Sequence, residues 1–279
     1  MPVAVVTDST AYLPAELAQG ITVVPLAVVM NGTEGRESLD VTPADVARAL
    51  RGRRVEVTTS RPAPADFLAA YRDLLAAGAD GVVSVHISSK LSGTYDSAVL
   101  AAADLPDVAV VDSGSTGMGL GFAALAAVGA ARDGVPLDVV RDTAVAAVAR
   151  TTTLFYVDTL EFLRRGGRIG AASALVGTAL SVKPILWTVD GEIVVREKVR
   201  TASRALTRIV DFAVEAAGES DVDIAVHHVA AAQRADDLAA AVLGRLGARV
   251  CSTYVIEVGA AVAAHVGPGF AGIVVHRRL

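Results

Sequence analysis

Three stretches dense in hydroxyls each follow a short apolar run: Thr7-Asp8-Ser9-Thr10, Ile87-Ser88-Ser89-Lys90-Leu91-Ser92-Gly93-Thr94 and Asp112-Ser113-Gly114-Ser115-Thr116. A fourth, Thr58-Thr59-Ser60-Arg61-Pro62, leads into a helical pattern. Loops at the carboxyl ends of parallel strands gather on one edge of the sheet, where ligands bind. A helix that starts there offers free backbone N–H groups and partial positive charge, and hydroxyls add neutral donors. That chemistry suits a carboxylate or phosphate. At any single junction the same residues serve equally as helix N-caps. Asp8 and Asp112 each follow a strand, as in a magnesium-dependent phosphotransfer site. Neither has a second acid within two residues, so no metal site is expected.

The second half offers cations and one histidine. In Leu160-Glu161-Phe162-Leu163-Arg164-Arg165-Gly166-Gly167-Arg168-Ile169-Gly170, the glycine pair ends a helix and fixes the direction of Arg168. Arg200 follows a strand, and a guanidinium matches the oxygens of an anion in bidentate fashion. His265 stands beside the Gly267-Pro268-Gly269 turn, which can hold an imidazole against an anionic ligand or its proton, although a backbone-satisfied structural role is the commoner fate of such a residue. His227 and His228 are adjacent on a strand and point to opposite faces, so they make no natural metal clamp. His86 and His276 carry no signal of their own. The single cysteine, Cys251, excludes an internal disulfide and is expected as a buried structural thiol in its apolar run.

These residues need a frame. Short apolar runs at Val3–Val6, Thr22–Met30, Gly81–Val85 and Val108–Val111 alternate with helical patterns, the signature of βαβ units and a mostly parallel sheet. A short helix is expected from Pro14. Thr42-Pro43-Ala44-Asp45 reads as a capped helix start, and Pro64–Ala77 carries Phe67, Tyr71, Leu74 and Leu75 on one face with Gly78 to stop it. The glycine-bearing run Gly117–Ala131 is expected as a buried helix. Beyond residue 150 the texture changes: Thr153–Val157, Lys183–Thr188 and Ile193–Val199 read as strands, with Asp190-Gly191 a hairpin turn. Thr201–Ala217 and Ala230–Leu246 read as helices around the strand Val222–Val226. The expected architecture is α/β: an N-terminal, mostly parallel three-layer α/β domain over residues 1–150, and a C-terminal α+β domain with antiparallel pairing over 151–279.

Composition narrows the class. Hydrophobic residues make up 53% of 279 positions while aromatics supply only 4%, so Ala, Val and Leu must build the core. The net charge of -5 arises from scattered signs, which argues against a nucleic-acid partner. No apolar run reaches the roughly eighteen residues of a membrane span, and the opening residues lack a signal-peptide pattern, so a cytoplasmic location is expected. There is no Walker-type loop and no Gly-x-Ser-x-Gly elbow, so a stand-alone phosphotransferase or hydrolase acting on a small anion is the lesser expectation.

Taken in order, Thr7–Thr10, Thr59-Ser60-Arg61-Pro62, Ile87–Tyr95, Asp112-Ser113, Leu163–Ile169, Lys183–Leu186, Asp190-Gly191 and His265–Gly269 resemble the DegV family along essentially the whole chain. The resemblance implies a lipid-binding protein with a long-chain fatty acid buried between its two domains, and neither a catalytic residue nor a cofactor of its own. It implies that Thr59 and Ser92 meet the carboxylate, with Ser60, Gly93, Thr94 and His265 beside it. It further implies that a separate ATP-dependent fatty acid kinase makes the acyl phosphate for phospholipid synthesis, with Arg168, Arg200 and His265 facing that kinase or its phosphoryl group. Membrane contact would be transient at most. A lipid-sensing regulator would show the same motifs. This chain departs from the family pattern at Arg61, where Gln is common, and at Gly117, where a hydroxyl is frequent.

Overall fold

The computed structural model describes residues 2–52, 56–175 and 182–279. The chain forms two compact units, residues 1–27 with 59–149 and residues 28–58 with 150–279. The first unit is a four-stranded parallel sheet in the order β2-β1-β6-β7, and its strands are β1 (Ala4–Asp8), β2 (Ile21–Val24), β6 (Val82–His86) and β7 (Val108–Asp112). Val5, Val83 and Val85 bury into one face and Val6 and Val82 into the other, the period-two alternation that a sheet covered on both sides requires. Helices α2 (Pro64–Ala76) and α3 (Thr94–Ala102) cover one face through Phe67, Tyr71, Ala98 and Ala101. Helices α4 (Met118–Arg132) and α5 (Leu137–Ala149) cover the other through Leu120, Ala123, Ala127, Val140 and Ala144. The small side chains let these helices lie close to the sheet, and α4 is buried along most of its length.

The second unit carries a six-stranded mixed sheet in the order β10-β9-β8-β13-β11-β12. Its strands are β8 (Thr151–Tyr156), β9 (Lys183–Val189), β10 (Glu192–Val199), β11 (Val222–His228), β12 (Val250–Glu257) and β13 (Ala271–Arg277). Only β11 and β12 pair in parallel; the other neighbours are antiparallel. Between β9 and β10, Asp190 at φ 49° and Gly191 at φ 81° make the two-residue turn that their sequence predicts. Helices α7 (Ala202–Ala217) and α8 (Ala232–Leu246) bury Ile209, Phe212, Leu238 and Val242 against this sheet. A small sheet, β4-β3-β5, joins β3 (Ala27–Met30), β4 (Thr33–Arg36) and β5 (Val57–Ser60). Helix α1 (Pro43–Arg51) packs on α9 (Ala260–Val266), and so does α6 (Glu161–Arg165).

Several expectations change. The run Thr22–Met30 is two strands, because Pro25 has no N–H to extend a ladder and β2 and β3 join different sheets. The helix expected from Pro14 is only a turn, whereas Ser9–Ala11 forms a single 3-10 turn. The cut expected near residue 150 falls beside one chain crossing, but residues 28–58 also belong with the second unit. Local pattern cannot reveal this, since α1 finds its partner, α9, more than two hundred residues later. Cys251 is exposed, not buried: it lies on β12, an edge strand of the six-stranded sheet.

Candidate functional site

The β1 loop is folded in on itself. Asp8, fully buried, accepts from Thr10 N at 3.0 Å and Thr10 Oγ1 at 2.5 Å through Oδ1, and from Ile87 N at 2.9 Å through Oδ2. The same Oδ2 lies 3.1 Å from His86 Nδ1. With the carboxylate accepting throughout, Nδ1 carries the hydrogen and Nε2 accepts from Ser84 Oγ at 2.6 Å. Ser84 in turn accepts from the Tyr71 hydroxyl at 2.8 Å, whose pKa burial pushes up to about 12, so the phenol keeps its proton. Ser84, His86 and Asp8 thus have the partners of a Ser–His–Asp triad. All three are sealed from solvent and Ser84 is capped by Tyr71, so no substrate reaches the hydroxyl. The chain of bonds is structural: it ties the exits of β1 and β6 together.

Thr7 Oγ1 donates to Val85 O, and Ser9 Oγ accepts from Leu26 N, so these two hydroxyls engage backbone. The β7 loop does the same. Asp112 accepts from Ser89 N and Gly114 N, and Ser113 Oγ donates to Ser115 O. The two aspartates that suggested a metal site are therefore engaged with backbone N–H groups on either side of the β6 exit. Among the described residues no group of three or more His, Cys, Asp or Glu is placed to hold a metal ion.

What the two aspartates fix is the β6–α3 loop, and its far end is different. Ser92 Oγ and Thr94 Oγ1 lie 2.8 Å apart, and Ser92 Oγ also accepts from Thr94 N at 3.3 Å. One of the two hydroxyl hydrogens bridges the pair, which leaves the other to donate elsewhere. Gly93 is the N-cap of α3 and supplies no side-chain cap, so the first turn keeps orphan N–H donors. Ser92 and Gly93 are half-buried and Thr94 is buried. Thr59 and Ser60 end β5, half-buried and exposed respectively, and run directly into Arg61. The Arg61 side chain lies on Gly93: a Cβ placed there would collide with Nη1 and sit 3.0 Å from Cδ and 3.2 Å from Cζ. That contact joins the Thr59–Pro62 segment to the Ser92–Thr94 loop within the first unit.

In the second unit, His265 stands in the last turn of α9 and lies against Gly166, where a Cβ would collide with Nδ1. Arg168 follows the glycine pair, and its Nη1 donates to Gly166 O at 2.5 Å. Burial, and then the positive Arg168, holds the His265 pKa down to about 4, so the imidazole is neutral near neutral pH. Gly267, at φ 74°, accommodates the Phe162 ring of α6, where any side chain would collide. At the other end of α9, the buried Glu37 accepts from Ala261 N at 2.7 Å. Arg168 and His265 are thus brought together. Arg200 stands exposed between β10 and α7, and among the described residues no hydrogen bond or ion pair ties it to either.

Sequence reasoning missed His86, Ser84, Tyr71 and Glu37. A signal for the first two existed, since Ser84 and His86 are polar residues two apart in an otherwise apolar strand and so share a face. Glu37 offered none.

Fold and loops define a two-unit α/β protein with one parallel and one mixed sheet. The profile described as an uncharacterised protein of the DegV family matches residues 2–278, and the chain belongs to that family. A DegV domain-containing protein of Streptomyces coelicolor is 50% identical over 279 residues, 99% of each chain. A solved structure described as fatty acid binding of a DegV family protein from Thermus thermophilus is 35% identical, with a TM-score of 0.94 over 100% of both chains. Another, described as DegV, a fatty acid binding protein from Bacillus subtilis, is 31% identical, with a TM-score of 0.89, also over 100% of both. Among the described residues, no helix is long and apolar enough to cross a membrane.

Proposed function

We propose that this chain binds a long-chain fatty acid and presents it to a separate ATP-dependent fatty acid kinase, with no catalytic group or cofactor of its own. The observation that carries the fatty-acid part of this reading is the full-length likeness to the Thermus thermophilus protein. The local chemistry agrees. Burial of an acyl chain contributes about 0.8 kcal/mol per methylene, but a carboxylate taken from water must be hydrogen-bonded. Ser92 and Thr94, with the open first turn of α3, offer donors for it, and Thr59 and Ser60 reach the same loop through Arg61. His265 is assigned to the head group and, with Arg168 and Arg200, to the kinase-facing step. In that step a carboxylate oxygen attacks the γ-phosphorus of ATP held by the kinase, and ADP leaves. A neutral His265 can donate a hydrogen bond there while Arg168 supplies the charge. The protein would work in the cytoplasm, touching membranes transiently at most.

Native mass spectrometry of the purified protein, followed by solvent extraction, tests the ligand. We expect about one fatty acid per chain, and a protein that is empty and also ignores added oleate would overturn the reading. With a fatty acid kinase and ATP, His265→Ala should slow acyl phosphate formation while leaving the melting temperature nearly unchanged. Unchanged turnover would remove the role given to His265, and turnover by the chain alone would make it an enzyme.

A further inference from the structure

Arg61 makes no ion pair with a carboxylate among the described residues, and it is exposed. Its side chain nevertheless lies beside Gly93, where an added Cβ would collide with Nη1 and meet Cδ and Cζ. That glycine separates the two hydroxyls, Ser92 and Thr94, whose oxygens lie 2.8 Å apart. Gly93 has φ -70°, a conformation open to any residue, so backbone strain does not require glycine there. A Cβ there would instead push the Arg61 guanidinium aside. A cation with no acid partner among the described residues, beside the glycine that separates the two hydroxyls at the first turn of α3, forms a patch of donors and positive charge.

We propose that Arg61 is a specificity-determining residue of the head-group site, selecting an ionised carboxylate over neutral heads by a charge-assisted hydrogen bond across Gly93. This rests on the fatty-acid reading and deepens it: hydroxyls and N–H groups alone accept a carboxylate, an alcohol or an ester with modest preference, whereas a guanidinium prefers the anion. Since Arg61 is exposed, its pull is screened by salt, and binding should weaken as ionic strength rises.

Affinities for oleate and for oleyl alcohol, measured on the delipidated full-length protein at about 0.05 M and about 0.5 M sodium chloride, test this. We expect Arg61→Gln to weaken oleate binding about five- to tenfold at low salt, to leave oleyl alcohol unchanged and to flatten the salt dependence. Arg61→Lys should fall between, keeping charge but losing the planar fork. Gly93→Ala should reproduce the Arg61→Gln loss in the parent protein by unseating the guanidinium, and add little on top of Arg61→Gln. Oleate binding by Arg61→Gln equal to the parent, with the same salt dependence, would overturn the inference while leaving the fatty-acid function intact. A parent protein that binds neither probe would overturn both.

Discussion

Two loops of the first unit have nearly the same composition and opposite fates. Thr7-Asp8-Ser9-Thr10 is buried throughout: Thr7 Oγ1 donates to Val85 O, Ser9 Oγ accepts from Leu26 N, Thr10 Oγ1 donates to Asp8, and Asp8 meets His86. Ser92-Gly93-Thr94 is only partly covered, caps its helix without a side chain and carries a guanidinium on its glycine. The first is the anchor, and the second is the loop proposed to meet the carboxylate. They are linked, because Asp8 holds the backbone of Ile87 at the start of the loop that ends in Thr94. Density of hydroxyls therefore does not mark a ligand site. What separates the two is whether β-strand neighbours have already claimed the hydrogen bonds.

The sharpest way to break this contrast is at its anchor. Asp8→Asn places an NH2 among donors and leaves buried groups unsatisfied, so we expect a loss of about 3 kcal/mol or more in denaturant unfolding. A stable Asp8→Asn protein with selectively weakened fatty-acid binding would reassign the β1 loop to the ligand. Ser92→Ala or Thr59→Ala should do the reverse, costing about 1–3 kcal/mol of fatty-acid affinity in a binding titration with little change in melting temperature. Gly166→Ala carries the contrast to the second unit. Its Cβ must displace the His265 ring, so we expect about 1–2 kcal/mol of destabilisation by chemical unfolding.

Stability should also carry a pH dependence, absent near neutral pH. His227, His265 and His276 each have a pKa lowered to about 4, chiefly by burial. Unfolded, each returns to an ordinary value near 6.5, so between those values the unfolded chain binds more protons. Stability should be unaffected by these groups above about pH 6.5 and fall steadily toward about pH 4. His265→Gln should reduce that acid slope by one proton's share in pH-dependent melting curves.

Much of the frame was legible in the residues. Alternating valines, the Thr42 capping box, the Phe67–Tyr71 helix face and the Asp190-Gly191 turn each act through neighbours a few positions away, and each forms as its sequence predicts. The same locality made Ser92, Gly93 and Thr94 readable as a helix start, and Gly166-Gly167 as the stop that aims Arg168.

Long-range pairing decided the rest. The capture of residues 28–58 by the second unit depends on α1 meeting α9, and Glu37 finds Ala261 at a separation of 224 residues. Asp8 and His86 meet across 78 residues because β1 and β6 are neighbours in the sheet, and this meeting turns an apparent metal ligand into an anchor. Arg61 gained its seat on Gly93 in the same way. A side chain's type determines which bonds it can make, and that is written in the sequence. Which of those bonds the protein itself has already taken is fixed only when distant strands and helices bury them together.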